Sequence, residues 1–551
     1  MNIKITNPQS PPFPLTDIAI IGGGVSGAYT AYRLMKANPN ESPVLKRLLE
    51  LSGREQIDVR LFELSDRIGG RLWSINMPGL PNIPAEMGGM RFLQSQQNVY
   101  GLCTNELNLE VSSFNFANNI QYLRRQRFSF DDYPNPQKVP YFLTDEEKGT
   151  YPIDLVTNAV YNLVPEAKGL SGTDLIMFLR NARVKDEPLY NQPLYETGFW
   201  NLLASKLSIE AYNLVIAASG YFSIYGNWSS YGAFLEFLRN YADDKYFKLN
   251  KGYQQIPETL AIEFIKMGGE VITNKKLYKL QVEEYNGEQL IAMTVGAPDN
   301  PIRSVQYARY VVLAMPQRSL ELLDPDSFIF LNPQFKKDLA TVTAQASSKL
   351  FLSYDRPWWQ ELSPKIEKGR SDTDLPLRQC YYVGTETEGQ NKGMSLMMAS
   401  YNDDRAASFW DGYLQPDRFG LHNPPYMGRH GGQLKQSLLA PHDMVMEIQR
   451  QLKEMHNCEI PDPYAAIYHD WMEDPFGGAW YFWNPHVRSW EVAPRIRQPV
   501  AGYNVFLCGD CYSENQGWVE GALNTAEMVL ETKFGLPRPE WVKDKSYYFG
   551  P

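Results

Sequence analysis

The sequence is poor in the residues of sulfur and metal chemistry. It holds five cysteines and six histidines among 551 residues. An odd number of cysteines in so long a chain excludes a disulfide framework. Cys508 and Cys511 spell C-x-x-C, but no second pair completes a zinc site. The histidines lie between His422 and His486 without the spacing of metal ligands, so we predict no metal site.

The sequence also lacks long apolar runs and an excess of positive charge. No run approaches the roughly 18 apolar residues of a membrane span, and we expect no membrane partner. The formal net charge of −10 argues against nucleic acid, which usually needs a basic face. Met1 to Thr16 carries prolines and no apolar signal-peptide core, which predicts a cytoplasmic location.

What the chain does contain is enough apolar surface for a large core. Hydrophobic residues make up 43% of it and aromatic residues 13%, which is typical of an ordered globular protein. Its length predicts more than one domain.

A glycine motif near the N-terminus predicts a dinucleotide site. The apolar run Asp17 to Ile21 is typical of a buried parallel strand. It is followed by G-x-G-x-x-G at Gly22, Gly24 and Gly27, and from Val25 apolar residues recur at helical spacing. Gly22 makes the turn, Gly24 lets the backbone approach a pyrophosphate, and Gly27 lets helix and strand pack closely. The motif alone fits a tight structural turn equally well.

A second strand supplies the acidic residue of such a site. Val59 to Phe62 is apolar at three of its four positions and ends at Glu63, whose carboxylate can accept hydrogen bonds from a ribose. Glu63 follows Gly27 by 36 residues, whereas about 20 are usual. We interpret Asn38 to Asp58 as an insertion after the helix.

Two further glycine pairs follow. Arg67-Ile-Gly-Gly-Arg71 offers close backbone approach and two guanidinium groups for phosphate. In Glu86-Met-Gly-Gly-Met-Arg91 the arginine stands between large apolar residues. Such an arginine is expected to meet a carboxylate from a neighbour or a ligand.

The rest of the chain alternates between helical and strand patterns. Residues Tyr151 to Tyr241 read as helical, and strand signals return at Gly252 to Pro257, Glu270 to Thr273 and Tyr310 to Pro316. Ile467 to Trp490 is dense in aromatics and interrupted by glycines, as a wall around a flat ring requires. Near the C-terminus a strand leads to Gly509-Asp510, and an amphipathic helix begins near Trp518.

Taken together these motifs resemble the flavin amine oxidase family, in the family's order and over nearly the whole chain. The resemblance implies FAD and an α/β fold, in which a Rossmann-like FAD-binding domain is interleaved with a mixed-sheet substrate-binding domain and a helical domain. The implied ranges are 14–72, 250–332 and 495–536 for FAD binding, 73–140 and 333–494 for substrate binding, and 141–249 for the helical domain.

Within the family, Gly89-Met-Arg91 resembles the L-amino-acid oxidases. The resemblance assigns four catalytic residues. Arg91 clamps the substrate α-carboxylate in a bidentate manner, Tyr401 assists it, Trp518 walls the amino-group side, and Lys349 holds a water near flavin N5. The cofactor-binding residues expected from the motifs and the resemblance are Gly22, Gly24, Ser26, Gly27, Glu63, Arg67, Gly70, Arg71, Gly88, Gly89, Met90, Arg91, Gly509, Asp510, Gly517, Trp518, Val519 and Ala522.

Three features depart from parts of the family. Asp510 stands where glutamate is common, which shortens its reach to the cofactor. Residues 217–237 contain no histidine, so the base proposed for some secreted relatives has no counterpart. Residues 477–481 contain no cysteine for covalent attachment, so we expect FAD to be bound non-covalently.

The function implied is oxidative deamination of an L-amino acid to a 2-oxo acid and ammonia, with hydride transfer from Cα to flavin N5 and dioxygen reduced to hydrogen peroxide. An amino-acid 2-monooxygenase and an amine or polyamine oxidase of the same family are the alternatives. A non-catalytic FAD-binding protein is a third reading from another class. The preferred side chain and the oligomeric state, a homo-oligomer included, stay open.

Overall fold

The computed structural model describes residues 14–114, 117–240, 245–414 and 423–551. Most of the N-terminal stretch used for the predicted location, Tyr241 at the end of the predicted helical region, and His422 lie outside these residues.

The strands of the described residues are β1 Leu15–Ile21, β2 Val59–Phe62, β3 Ser74–Asn76, β4 Pro84–Glu86, β5 Phe92–Leu93, β6 Val111–Ser113, β7 Asn118–Leu123, β8 Gln126–Ser129, β9 Tyr246–Leu249, β10 Glu270–Ile272, β11 Lys276–Tyr285, β12 Glu288–Gly296, β13 Ser304–Leu313, β14 Val342–Gln345, β15 Ser347–Tyr354, β16 Gly369–Thr373, β17 Gln379–Thr385, β18 Ser395–Asp403, β19 Ala465–Asp470, β20 Trp480–Trp483 and β21 Val505–Leu507.

The α-helices of the same residues are α1 Val25–Lys36, α2 Pro43–Ser52, α3 Gln97–Gly101, α4 Pro152–Leu163, α5 Gly172–Asn181, α6 Phe199–Lys206, α7 Ile209–Ser219, α8 Ser230–Leu235, α9 Gln255–Lys266, α10 Gln317–Glu321, α11 Pro333–Leu339, α12 Asp404–Leu414, α13 His442–His456, α14 Ser489–Ile496 and α15 Val519–Val529.

The first seven-stranded sheet has a parallel core. Its order is β10-β2-β1-β13-β12-β11, and β21 also pairs with β13. The pairs β10/β2, β2/β1, β1/β13 and β13/β21 are parallel, whereas β12 and β11 add an antiparallel edge. Helices α1, α9 and α15 cover one face through a shared apolar core. This sheet is the Rossmann-like part of the α/β fold and confirms the predicted fold class.

The second seven-stranded sheet, of order β19-β15-β18-β17-β16-β7-β8, is mixed. Only the β16/β7 pair is parallel. Helices α4 to α8 form a separate apolar core with residues from β7 and β8. The chain then returns through β9, which pairs antiparallel with β5 and β6.

The insertion after α1 is itself a helix. Helix α2 has a proline at its first position, and it ends before Gly53, whose backbone lies in the left-handed region. Both features are common at helix ends. Leu45 and Leu48 bury its apolar face in the core of the first sheet. Because the insertion folds outside the sheet, β2 still pairs with β1 in register, Ile21 opposite Phe62.

One strand prediction was wrong. Residues 252–257 form a turn and the start of α9, not a strand. Pro257 fits there because the first turn of a helix needs no amide hydrogen at that position. No helix of the described residues is long and apolar enough to cross a membrane.

Candidate active site

A large cavity joins the two sheets and the helical segment. Its volume is about 370 Å³. Residues that directly follow the parallel strands β1, β2 and β13 line it, namely Gly22, Glu63 and Ala314, and Gly509 lies just beyond β21. Ligands of open α/β sheets bind at this carboxyl edge. We call this part of the cavity the cofactor end.

The glycines of the fingerprint have the geometry that the sequence predicted. Gly22 has a φ of +112°, and a Cβ there would lie 2.3 Å from the carbonyl oxygen of Ala314. A Cβ on Gly27 would lie 1.8 Å from the carbonyl oxygen of Gly22, so only glycine lets α1 pack so close to the turn. A Cβ on Gly24 would meet only the Cα of Gly70, at 3.9 Å, which is an ordinary contact.

Glu63 lies beside the fingerprint despite its unusual spacing. Its Oε2 accepts a hydrogen bond from the amide of Gly23 at 2.6 Å. Its Oε1 accepts from the amide and the hydroxyl of Ser65 at 2.8 and 2.7 Å. The carboxylate is therefore fixed at the cavity wall beside the fingerprint.

The two arginines after Glu63 have different places. Arg71 lines the cavity, forms an ion pair with Asp510, and donates to the carbonyl oxygen of Ala479 at 2.8 Å. Asp510 also accepts from the amide of Gly517 at 3.2 Å, so its short side chain ties together two walls of the cavity. Arg67 is not part of the lining; its guanidinium donates to the carbonyl oxygens of Gly70 and Leu72 and holds the glycine loop.

At the other end of the cavity, which we call the substrate end, Lys349 and Tyr401 are cross-strand neighbours on β15 and β18. The ammonium of Lys349 lies 4.6 Å from the Tyr401 ring centroid. It donates to the carbonyl oxygens of Glu86 at 3.0 Å and Gly88 at 2.6 Å. Burial lowers the pKa of Lys349 and raises the pKa of Tyr401 to about 12.

Arg91 lines the substrate end of the cavity. It immediately precedes β5, and its guanidinium carbon lies 4.9 Å from the ring centroid of Tyr246 and 5.7 Å from that of Phe114. Aromatic faces stabilise a guanidinium and fix its plane. Arg91 and Tyr401 both line the cavity, so the fold brings together, from distant parts of the chain, the two residues predicted to hold a carboxylate.

Trp518 precedes helix α15 and lines the substrate end of the cavity. It is the N-cap residue of that helix, and its indole Nε1 donates to a carboxylate oxygen of Glu236 at 2.8 Å. Glu236 lines the cavity together with Tyr221 and Trp228, which come from the same helical segment.

The cavity gathers nearly all the predicted residues. Its lining includes every predicted catalytic and cofactor-binding residue except Gly27 and Arg67. Sequence reasoning missed Glu236. The signal was present, because Glu236 is the one acid within the apolar stretch 233–238, and an acid among apolar residues is seldom buried without a partner. Of the aromatic segment, Trp471, Phe476, Trp480 and Phe482 line the cavity, whereas Tyr481 and Trp483 are core.

The residues present fit FAD. Helix α1 begins at Val25, and its N-cap residue Gly24 has no side chain to cap the amide hydrogens of the first turn beside the cavity. Uncapped amides and the positive end of the helix dipole suit a pyrophosphate. The uncapped N-terminus of α15 meets the same cavity at Trp518 and Val519, where it would stabilise negative charge on a reduced isoalloxazine.

Comparison with known proteins identifies the class. The profile of the family described as flavin containing amine oxidoreductase matches residues 46–529, and the chain belongs to this family. Its cofactor is accordingly FAD and it is an oxidoreductase.

The chain is also similar to individual members of known sequence or structure. The chain is 26% identical to Aplysianin-A of Aplysia kurodai over 94% of its own length and 90% of that protein. It is 26% identical to an L-amino-acid oxidase of Mus musculus over 71% of its own length and 55% of that protein. Wild-type putrescine oxidase bound to putrescine superimposes with a TM-score of 0.62 at 17% identity, covering 95% of this chain and 100% of that one, which shows a shared fold.

Proposed function

We propose that the protein is an FAD-dependent L-amino-acid oxidase. The observation that carries the proposal is Arg91, a guanidinium on two aromatic rings in the cavity that also contains Tyr401. A planar guanidinium pairs with a planar carboxylate through two parallel hydrogen bonds. Simple amines and polyamines have no carboxylate to make use of it.

The protein's contribution is orientation. With the α-carboxylate held by Arg91 and Tyr401, the Cα–H bond is directed toward the cofactor, and Trp518 lies on the amino side. FAD, when bound, supplies the redox chemistry by accepting a hydride from Cα. Holding the reacting atoms in line removes much of the entropic part of the barrier. The imino acid product hydrolyses to a 2-oxo acid and ammonia, and dioxygen becomes hydrogen peroxide.

The test is a peroxide-release assay across the common L-amino acids, with D-enantiomers and putrescine as controls. We expect activity with L-amino acids alone. Activity with putrescine but not with amino acids would instead favour an amine oxidase. An amide product in place of the 2-oxo acid would indicate the 2-monooxygenase. Flavin that no substrate bleaches without oxygen would favour a non-catalytic protein.

We propose further that FAD is held non-covalently and that the protein is cytoplasmic. Cys511 is a cavity-lining cysteine, and burial raises the pKa of its thiol well above the ordinary value, which suppresses the reactive thiolate. Acid precipitation of the holoprotein should leave all the flavin in the supernatant. Flavin in the pellet would contradict the proposal.

A further inference from the structure

A second, much smaller cavity lies behind the substrate end. Its volume is about 20 Å³, and it shares Trp228, Glu236, Phe482 and Gln516 with the large cavity. On its far side are Ser489 and Glu514. We call this cavity the chamber. Glu236 therefore has one side in the substrate end and the other in the chamber.

The chamber contains polar atoms that the protein leaves without partners. The Ser489 hydroxyl and the Oε2 of Glu514 are buried and make no hydrogen bond. The other oxygen of Glu514 accepts from Arg180 and from the Tyr231 hydroxyl, both at 2.8 Å. Leaving buried polar groups unsatisfied is destabilising, so these two groups indicate a polar occupant.

The occupant that fits is one water molecule. A cavity needs about 10–15 Å³ for a water, and that water needs two to four polar partners. Here a water can donate one hydrogen to Glu514 Oε2 and the other to the Glu236 carboxylate, and can accept the Ser489 hydroxyl hydrogen. Gln516 does not compete, because it already accepts from the Trp483 amide and donates to the Cys511 carbonyl oxygen.

We propose that the chamber binds one water and that Glu236, this water and Glu514 together store the proton that the substrate ammonium gives up before oxidation. The proposal rests on the proposed function. Glu236 is the catalytic residue, since it lines the substrate end itself and accepts a hydrogen bond from Trp518 there. Glu514 is a positioning residue that acts through the water. Two carboxylates that share one water favour uptake of a single proton.

The proton balance closes within one turnover. The ammonium N–H bond breaks, the nitrogen keeps the electron pair, and the proton passes to Glu236 and through the water to Glu514. The substrate then loses a hydride. Reduction of dioxygen to hydrogen peroxide consumes one hydride and one proton, so the stored proton is used again. The store therefore needs no path to solvent.

The charged and titratable groups around the pair come from several elements. Those facing Glu514 are Arg180, Tyr231 and Arg239. Arg239 donates to the Glu514 carbonyl oxygen, and Arg180 also donates to the Tyr548 hydroxyl. Those near Glu236 are Trp518, Tyr246 and, across the cavity, Arg91.

The first test is a crystal structure of the FAD-loaded protein at a resolution that shows water. We expect one ordered water within hydrogen-bonding distance of Glu236, Ser489 and Glu514. A chamber without density, or a Ser489 hydroxyl bonded directly to Glu514, overturns the proposal whatever the substrate.

The second test is the pH dependence of kcat/KM for a neutral L-amino acid. Glu236→Gln keeps an acceptor for Trp518 but cannot take a proton. We expect kcat/KM near pH 7 to fall about 100-fold. It should then rise about tenfold per pH unit toward the pKa of the substrate ammonium, because only neutral amine reacts. If the variant loses activity by the same factor at every pH, the proposal is overturned. It is also overturned if the variant loses activity only with lysine and arginine as substrates.

Two milder variants test the water. Glu514→Gln removes a negative charge near Glu236 and should move the acid limb of the profile about one pH unit lower.

Ser489→Ala removes one of the three partners of the water and should lower kcat/KM about fivefold. Ser353→Ala is the matched control, since its hydroxyl is also buried without a partner but lies outside both linings; it should leave kcat/KM unchanged. Equal effects of the two serine variants on kcat/KM contradict the proposal. So does an acid limb of the pH profile that Glu514→Gln leaves in place.

A failure of the proposed function can be told apart from a failure of the proposed proton storage by Glu236, the water and Glu514. If the protein oxidises amines and not amino acids, the proposed function is wrong, but the same pH profile tests Glu236, because amines carry the same ammonium. If no substrate reduces the flavin, the crystal structure alone decides whether the water is bound.

Discussion

The two ends of the cavity are built in different ways. At the cofactor end the main chain makes the site: glycines at Gly22, Gly24 and Gly27, amides at the start of α1, and residues that follow parallel strands. At the substrate end side chains make it, and Arg91, Lys349, Tyr401 and the helical-segment residue Glu236 come from separate elements. The first end depends on backbone clearance, whereas the second depends on how three parts of the chain pack.

This difference predicts different kinds of failure. A change at the cofactor end should damage folding and flavin binding together, since backbone atoms cannot move independently of the sheet. A change at the substrate end should leave the flavin bound and alter catalysis. The predictions below test that separation, from the largest expected effect to the smallest.

The largest effect is expected for Gly27→Ala. A Cβ would lie 1.8 Å from the Gly22 carbonyl oxygen, and since both atoms belong to the backbone the clash is relieved only by moving α1 away from β1. We expect a loss of more than about 4 kcal/mol in the free energy of unfolding. The purified variant should also lack flavin. Urea unfolding and the ratio of flavin to protein absorbance measure both.

Gly412→Ala is the matched control. A Cβ on Gly412 meets no atom within 4 Å, and the residue lies in helix α12. Alanine favours a helix by up to about 1 kcal/mol over glycine, so the variant should be as stable as the parent or more so. A Gly27→Ala protein that keeps both stability and flavin would show that the cofactor end tolerates movement.

The same difference explains what the sequence could predict. Strand β1 and the glycine roles were readable because local spacing fixes them. Glu63 was readable because it directly follows the apolar strand β2, although the insertion that became α2 makes its spacing from Gly27 unusual. The strand predicted at 252–257 failed because tertiary packing made it the start of a helix. Glu236 was missed because nothing local shows that α15 brings Trp518 to it. The catalytic set was named by resemblance, and only the fold shows that Lys349 and Tyr401 are direct neighbours.

The next effect is at the substrate end. Arg91→Lys keeps the charge but loses the planar pair of donors. We expect kcat/KM for an L-amino acid to fall about 100-fold, equivalent to about 3 kcal/mol of transition-state binding, with flavin content unchanged. Arg450→Lys, at an exposed arginine on α13, is the control and should match the parent. A variant with parental kinetics would remove the carboxylate clamp and with it the main support for an amino-acid substrate.

Acid should destabilise the fold through His456, a histidine on helix α13. His456 is buried, and burial lowers its pKa to about 4; its Nε2 lies 2.7 Å from the Tyr382 hydroxyl. Because the unfolded chain takes up a proton near pH 6.5 and the folded chain does not, this stability is present above pH 6.5 and is lost as the pH falls toward 4. Between pH 7 and 5 the loss is about 2 kcal/mol.

The check compares urea unfolding of the parent and His456→Gln at both pH values. The variant should be less stable at pH 7 and should lose about 2 kcal/mol less than the parent on going to pH 5. The same pH sensitivity in both proteins would show that His456 is already protonated in the fold. If the flavin is released before the protein loses its structure, the proposed independence of the cofactor end from the substrate end is contradicted.

The smallest effect is expected for Tyr401→Phe, which removes one hydroxyl from the clamp and keeps the ring beside Lys349. A hydrogen bond to a charged group contributes about 1.5 kcal/mol or more, so kcat/KM should fall about tenfold, mainly through KM. Burial raises the pKa of Tyr401 to about 12, so the hydroxyl stays protonated and the tenfold factor should be constant from pH 6 to 10. That constancy separates Tyr401 from Glu236, whose loss should matter less as the pH rises.

Tyr354→Phe is the control for Tyr401→Phe, because the buried hydroxyl of Tyr354 makes no hydrogen bond and lies outside the lining. If Tyr401→Phe changes kcat and leaves KM unchanged, the hydroxyl acts in the reaction step, and the substrate end is then more than an orienting clamp.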